Sequence, residues 1–230
     1  MDGLLLFNKP ILWTSHDAVD FIRRKAGQKG VGHAGTLDPL ATGLLLILLG
    51  KWTKRQDELM GLDKSYEGTI LFGSETDSYD MDGKLRVVPD ASHLTAEKVS
   101  EVFSSFTGKI SQAPPAFSAL KLNGKKMYEL ARSGEEIVPK NRDVTVHEFH
   151  LNYFHDNEAA FSLLCSKGTY VRSLAYDAGK KLGTGAVLSS LVRTSIGSFP
   201  LSDALTQSEV QSLTPKQFEE RLFVENLSRA

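Results

Sequence analysis

Apolar positions along this 230-residue chain fall into short runs and short periodic stretches, and their spacing predicts a mixed set of elements. Leu4–Phe7 is an apolar run ending at Pro10, the pattern of a short strand. Thr14 or Ser15 can cap a helix over roughly His16 to Lys25, with Val19, Ile22 and Ala26 on one face and Gly27 closing it. Leu44–Leu49 is an unbroken apolar run, as in a strand buried on both faces. Residues 66–72 are rich in aromatic and β-branched types and read as another strand. Thr95 caps a predicted helix from Ala96 to Phe106, with Val99, Val102, Phe103 and Phe106 at helical spacing. Ala113-Pro114-Pro115-Ala116 breaks the pattern. After it come a strand over Phe117–Leu122, a turn signal at Asn123-Gly124 and a short helix near Met127–Arg132. Val144–Phe154 and Ala159–Cys165 form a hairpin pattern around His155-Asp156-Asn157. Tyr170–Leu182 has helical spacing, Val187–Phe199 holds one or two more strands, and an amphipathic helix lies near Pro215–Phe223. Strands and helices do not alternate regularly. The expected fold is therefore α+β, a mixed, largely antiparallel central sheet with flanking helices, in one domain over residues 1–230.

Composition adds bounds. At 41% hydrophobic and 24% charged, the chain has the make-up of an ordinary globular protein. Its one cysteine, Cys165, permits no internal disulfide and fits a reducing compartment. Leu44–Leu49 is too short to span a membrane, and Met1-Asp2-Gly3 lacks the basic start of a secretory signal. The expectation is a cytoplasmic chain with no membrane association. A net charge of −1 argues against nucleic-acid binding, but the distribution matters more than the sum. Lys121, Lys125, Lys126 and Arg132 face Glu129 alone within residues 119–132. Lys167, Arg172, Lys180, Lys181 and Arg193 face Asp177 alone within 166–193. Acids collect at Glu75, Asp77, Asp80, Asp82, Asp90, Glu97 and Glu101, so one basic and one acidic face are expected.

The chemistry concentrates in Gly32-His-Ala-Gly-Thr-Leu-Asp38-Pro-Leu-Ala-Thr-Gly-Leu44. Asp38 is the only charged group there. Pro39 holds the backbone before it extended, and the glycines allow sharp turns and close approach. A rigid loop presenting one carboxylate suits a nucleophile or a base. Other signals fail on context. Gly30-Val-Gly32-His-Ala-Gly35 matches the dinucleotide fingerprint in letters, yet a basic helix precedes it and Pro39 blocks a helix after it. Asp80-Met-Asp82-Gly83 resembles part of a calcium loop, but Pro89 stands where the bidentate glutamate belongs, so an acidic surface turn is expected. His147 and His150 point to opposite faces of the predicted strand, and no metal site is expected.

The segment Gly32–Leu44 is similar to the nucleophile motif of the tRNA pseudouridine-55 synthases, which modify the TΨC arm of bacterial tRNA. The resemblance keeps one order over roughly residues 4–195. It takes in Asn8-Lys9-Pro10, Lys64-Ser-Tyr66, Thr76-Asp77-Ser-Tyr-Asp80 with Gly83, and Pro115-Ala-Phe-Ser118-Ala119-Leu-Lys121. It continues through Gly124-Lys125-Lys126-x-Tyr128 and Cys165-Ser-Lys-Gly168-Thr-Tyr170-Val-Arg172.

The resemblance implies an isomerase that detaches a uridine from its ribose at N1 and rejoins it through C5, with no cofactor and no metal. Asp38 would attack at C6 or at C1′, and the residues leave both open. Arg172 would supply the paired positive charge. His33 would fill the gap left by a flipped-out base, and Tyr66 would stack on the uracil and help remove the C5 proton. Tyr170 and Leu191 would wall the uridine pocket. Lys121, Lys125, Lys126 and Arg132 would hold phosphates on an RNA-clasping insertion at about residues 114–142. The implied partner is the TΨC arm of tRNA, with no obligate protein partner and a monomeric enzyme. Thr36 stands where the family often has alanine. About 35 residues follow Thr194, enough for a short helical tail but too few for the family's usual C-terminal RNA-binding domain, so weaker and more salt-sensitive RNA binding is expected. Two other readings remain: a tRNA-binding folding chaperone with dispensable catalysis, and the same chemistry on another RNA.

Overall fold

A computed structural model describes residues 1–86, 90–117, 121–122, 125–127 and 139–224. In chain order the elements are β1 (Gly3–Lys9), α1 (Ser15–Ala26), β2 (Val31–Ala34), β3 (Ala41–Leu49), α2 (Gln56–Met60), β4 (Lys64–Phe72), β5 (Glu75–Thr76), β6 (Leu85–Arg86), α3 (Ala96–Ser104) and β7 (Gly108–Gln112). They continue with β8 (Lys121–Leu122), β9 (Lys125–Lys126), β10 (Arg142–His155), β11 (Glu158–Cys165), α4 (Val171–Leu182), β12 (Ala186–Ile196), β13 (Phe199–Pro200), α5 (Gln207–Ser212) and α6 (Pro215–Glu220). Two compact units result, Met1–Tyr66 with Leu191–Ala230, and Glu67–Ser190.

The first unit is organised on β3. One edge pairs antiparallel with β1, from Gly3↔Leu49 to Lys9↔Gly43. The other edge is shared: β2 takes Leu46–Leu49 antiparallel, and β12 takes Ala41–Gly43 parallel, with Arg193 opposite Gly43. Leu44–Leu49 is fully buried because successive side chains feed opposite cores. Leu45, Ile47 and Leu49 pack with Ala18, Val19 and Ile22 of α1, whereas Leu44, Leu46 and Leu48 pack with Trp52 and Leu59. A capping box between Thr14 and Asp17 starts α1, and Gly27 ends it at φ 63°.

In the second unit the strand order is β12-β4-β11-β10-β7. Asp156 (φ 47°) and Asn157 (φ 64°) make the two-residue turn between β10 and β11, a conformation open to these side chains. Phe103 of α3 stacks on Phe149 at 4.1 Å, and Phe161 meets Phe149 edge-on. Cys165 is a buried cysteine at the end of β11.

The fold is α+β, with mixed pairing and flanking helices, as the pattern predicts. The pattern does not predict the short β5, β6 and α5, and the strand expected over Phe117–Leu122 is seen at Lys121–Leu122, with Phe117 in a bend; four further elements depart from it. Val31–Ala34 is a strand rather than loop, Gly108–Gln112 forms β7, and the stretches Gly50–Arg55 and Gln56–Met60 are helical. The predicted turn at Asn123-Gly124, and the predicted helix beyond Met127, lie outside the described residues. Among the described residues no helix is long and apolar enough to cross a membrane.

Gly43 is a position in the first unit that leaves no room for a side chain. Its φ is +100°, and a Cβ there would lie 2.4 Å from the carbonyl oxygen and 2.7 Å from the nitrogen of Arg193. We predict that Gly43→Ala lowers the unfolding free energy by about 2 kcal/mol or more, read from urea titration. An unchanged midpoint would show that β12 does not pair so closely.

Candidate active site

The nucleophile loop is pinned at successive residues between β2 and β3. Gly35 leaves β2 at φ +93°, a turn that only glycine makes without strain. The carbonyls of Gly35 and Thr36 accept from Arg193, at 3.1 and 3.5 Å. Ser15, buried at the start of α1, is bonded both ways to Leu37: its hydroxyl accepts from the amide at 2.8 Å and donates to the carbonyl at 3.1 Å. The Asp38 carbonyl accepts from the amide of Ala41 at 3.1 Å, and that of Pro39 accepts from the amide of Leu12 at 2.8 Å. The Asp38 side chain is therefore carried on a fixed backbone, half-buried.

Three basic groups surround this loop. The Lys9 ammonium is wholly buried and donates to the carbonyls of Pro10 (3.0 Å), Trp13 (2.6 Å) and Pro39 (3.4 Å). Burial pushes it down to about 8 against the pull of Asp38, and Arg193 pushes the same way. His33, on β2, is half-buried; burial, then Arg193 and His16, holds its imidazole below the ordinary histidine range. Its Nδ1 has no hydrogen-bond partner among the described residues. Arg193 lies at 1% exposure and donates from Nε to the Leu44 carbonyl at 2.7 Å. It also bonds the hydroxyl of Tyr66, which sits buried on β4. Leu191, half-buried, pairs with Ala41 at the start of β3.

Asp38, His33, Tyr66 and Leu191 thus share the first unit with Lys9 and Arg193. Arg193 is the group that sequence reasoning missed, having counted it among surface bases. The available signal was its place inside an apolar strand pattern, where a solvated arginine does not belong.

Arg172 and Tyr170 belong to the second unit. Arg172, in the first turn of α4 and 5% exposed, pairs with the Asp80 carboxylate at 3.3 Å. It also donates to the carbonyls of Ser78 and Phe117, each at 3.0 Å. Asp80 further accepts from the Ser78 hydroxyl and from the amide of Asp82. Met81 and Asp82 make the exposed turn expected, but Asp80 at its start is buried against an arginine. The expected basic and acidic faces lose Arg172, Arg193 and Asp80 to the interior for the same reason. Tyr170 is held through its backbone: Gln112, at 1% exposure, donates to its carbonyl at 3.0 Å and accepts from its amide at 2.8 Å. The Arg142 guanidinium lies over the Tyr170 ring at 5.6 Å. Lys121 and Lys126 are paired across the β8–β9 ribbon, with Lys125 opposite Leu122. Arg132 lies outside the described residues. Among the described residues no cluster of histidine, cysteine and acid side chains could hold a metal ion.

A pinned single-carboxylate loop on a mixed α+β frame fits the pseudouridylate synthases as a class. Residues 23–171 match the model of the TruB family pseudouridylate synthase (N terminal domain), and the chain belongs to that family. Among its relatives, a protein named tRNA pseudouridine synthase B from Opitutus terrae is 44% identical over 96% of this chain and 92% of its own. One of the same name from Geobacillus thermodenitrificans is 45% identical over 92% of this chain and 72% of its own. Among solved structures, a chain of a Cbf5-Nop10-Gar1 complex is similar at TM-score 0.74 and 25% identity, over 96% of this chain and 59% of that one. A chain of an H/ACA RNP bound to a substrate RNA containing 2'-deoxyuridine is similar at TM-score 0.68 and 25% identity, over 91% and 52%. This chain spans little more than half the length of those two solved chains.

The state of Lys9 yields a test of the buried charge. Between about 8 and the ordinary lysine range, the native state has shed a proton that the unfolded chain keeps, so stability due to Lys9 rises with pH. We predict that the unfolding free energy of the protein, less that of Lys9→Met, increases from about pH 7.5 to about pH 10. A difference that stays flat or falls would mean that Lys9 is not buried as a charge.

Proposed function

We propose that this chain isomerises a uridine to pseudouridine in tRNA, at position 55 of the TΨC arm. The observation that carries the reading is the loop that holds Asp38, bonded through the backbone of each residue from Gly35 to Pro39, in a member of the pseudouridylate synthase family. Curated relatives matching over nine-tenths of this chain carry the name tRNA pseudouridine synthase B, which supports tRNA as the substrate.

The reaction is balanced within the substrate. The N1–C1′ bond breaks, the base turns, a C5–C1′ bond forms, and the C5 proton leaves as N1 gains one. No redox partner is required. Asp38 is the proposed nucleophile, attacking C6 or C1′. Tyr66 is the proposed stacking ring and proton acceptor, and Arg172 the proposed catalytic arginine. His33, Tyr170 and Leu191 are proposed substrate contacts. Lys121, Lys125, Lys126 and Arg132 are proposed to hold phosphates, so RNA binding should weaken with salt. The target base must leave its stack to be reached, which these roles assume. We also propose that residues 1–230 act as one catalytic domain, with an RNA-clasping insertion at about 114–142. The proposed enzyme is a cytoplasmic monomer that needs no protein partner, cofactor or metal.

The test is tritium release from a tRNA transcript labelled at uridine C5. Wild-type protein should release one label per tRNA. Asp38→Asn should release none, a loss of at least about a thousandfold, while still binding the tRNA. Release by neither, with tRNA bound, would favour the folding-chaperone reading; release only from another RNA would move the chemistry to that substrate.

A further inference from the structure

We propose that Arg193 is a positioning residue for the isomerisation, a buried guanidinium that fixes the nucleophile loop and the Tyr66 hydroxyl to one rigid group. The inference rests on the functional reading above. Its geometry stands on its own. Nε reaches the Leu44 carbonyl, at the far end of the loop, while the two Nη atoms reach the carbonyls of Gly35 and Thr36, at the near end. The same group bonds the phenol of Tyr66. One planar cation therefore closes the loop that carries Asp38 and sets the ring proposed to stack on the uracil.

Three further observations favour positioning over bulk support. First, the group is almost wholly buried, and among the described residues no carboxylate pairs with it. An apolar side chain of similar volume would fill that space with no desolvation cost, so the charge is kept for what it holds. Second, the contacts diverge in direction, as suits a fork of N–H donors and not the point charge of lysine. Third, Arg193 acts on the other groups of the loop: it opposes the protonation of both Lys9 and His33. Its backbone is itself placed by the close pairing with Gly43.

The experiment uses Arg193→Lys and Arg193→Met in the full chain. Thermal unfolding reports folding, filter binding reports tRNA affinity, and single-turnover tritium release reports the chemical step. The 13Cζ resonances of labelled tyrosine report the phenols, with Tyr66 assigned by Tyr66→Phe among the six tyrosines. Arg193→Lys is expected to fold, to bind tRNA within about threefold of wild type, and to lose about a hundredfold in single-turnover rate. The Tyr66 resonance should move in both variants while the other five stay. A wild-type rate in Arg193→Lys overturns the proposal, and so does a lost rate with the Tyr66 resonance unmoved. A lysine variant that cannot fold also overturns it, since the group would then be bulk support. Wild-type protein that releases no tritium sinks the functional reading instead, and the Tyr66 resonance still reports whether Arg193 holds the phenol.

Discussion

A guanidinium taken out of water costs several kcal/mol unless its donors are met, and Arg193 meets that cost with backbone carbonyls. The constraint propagates. Carbonyls can gather around one arginine only if the loop turns back at Gly35 and enters β3 beside β12. That entry requires a residue without a side chain opposite Arg193, which Gly43 supplies. β3 can then continue into six residues buried on both faces, with α1 on one side and Trp52 and Leu59 on the other. The hydrophobic core and the nucleophile loop are thus two ends of one strand, and the charge sits where they join.

The two buried arginines solve the same problem differently. Arg193 is held by carbonyls and a phenol. Arg172 has a carboxylate, Asp80, as well as carbonyls, and Asp80 is itself satisfied by Ser78 and Asp82. A buried carboxylate–guanidinium pair is stiff, because losing either partner strands the other. The first arrangement keeps a net positive field under the loop, felt by Lys9 and His33 as resistance to protonation.

Much of this was legible in the residues. The helix over Ser15–Ala26 carries its own start and stop in Thr14, Asp17 and Gly27, and Asp156-Asn157 marks its hairpin. The loop announced itself because a lone acid among glycines has few structural uses. What escaped was set by partners distant in sequence. Val31–Ala34 is four residues with a glycine inside, too short for a period to show, and it becomes a strand only because β3 offers an open edge. Gly108–Gln112 alternates polar residues and gains its identity from pairing with β10. The parallel contact of β12 with β3 leaves no local mark at all. Arg193 and Asp80 read as surface charges for the same reason: one sequence records how many charges there are, but not which ones the fold takes inside.

The most direct test of the account is to map the product. An unmodified tRNA transcript incubated with the protein is treated with a carbodiimide that marks pseudouridine, and reverse transcription locates the marks. The account predicts one new stop, in the TΨC arm at position 55, and none elsewhere. A transcript with no stop, or with its stop in another arm, would contradict it.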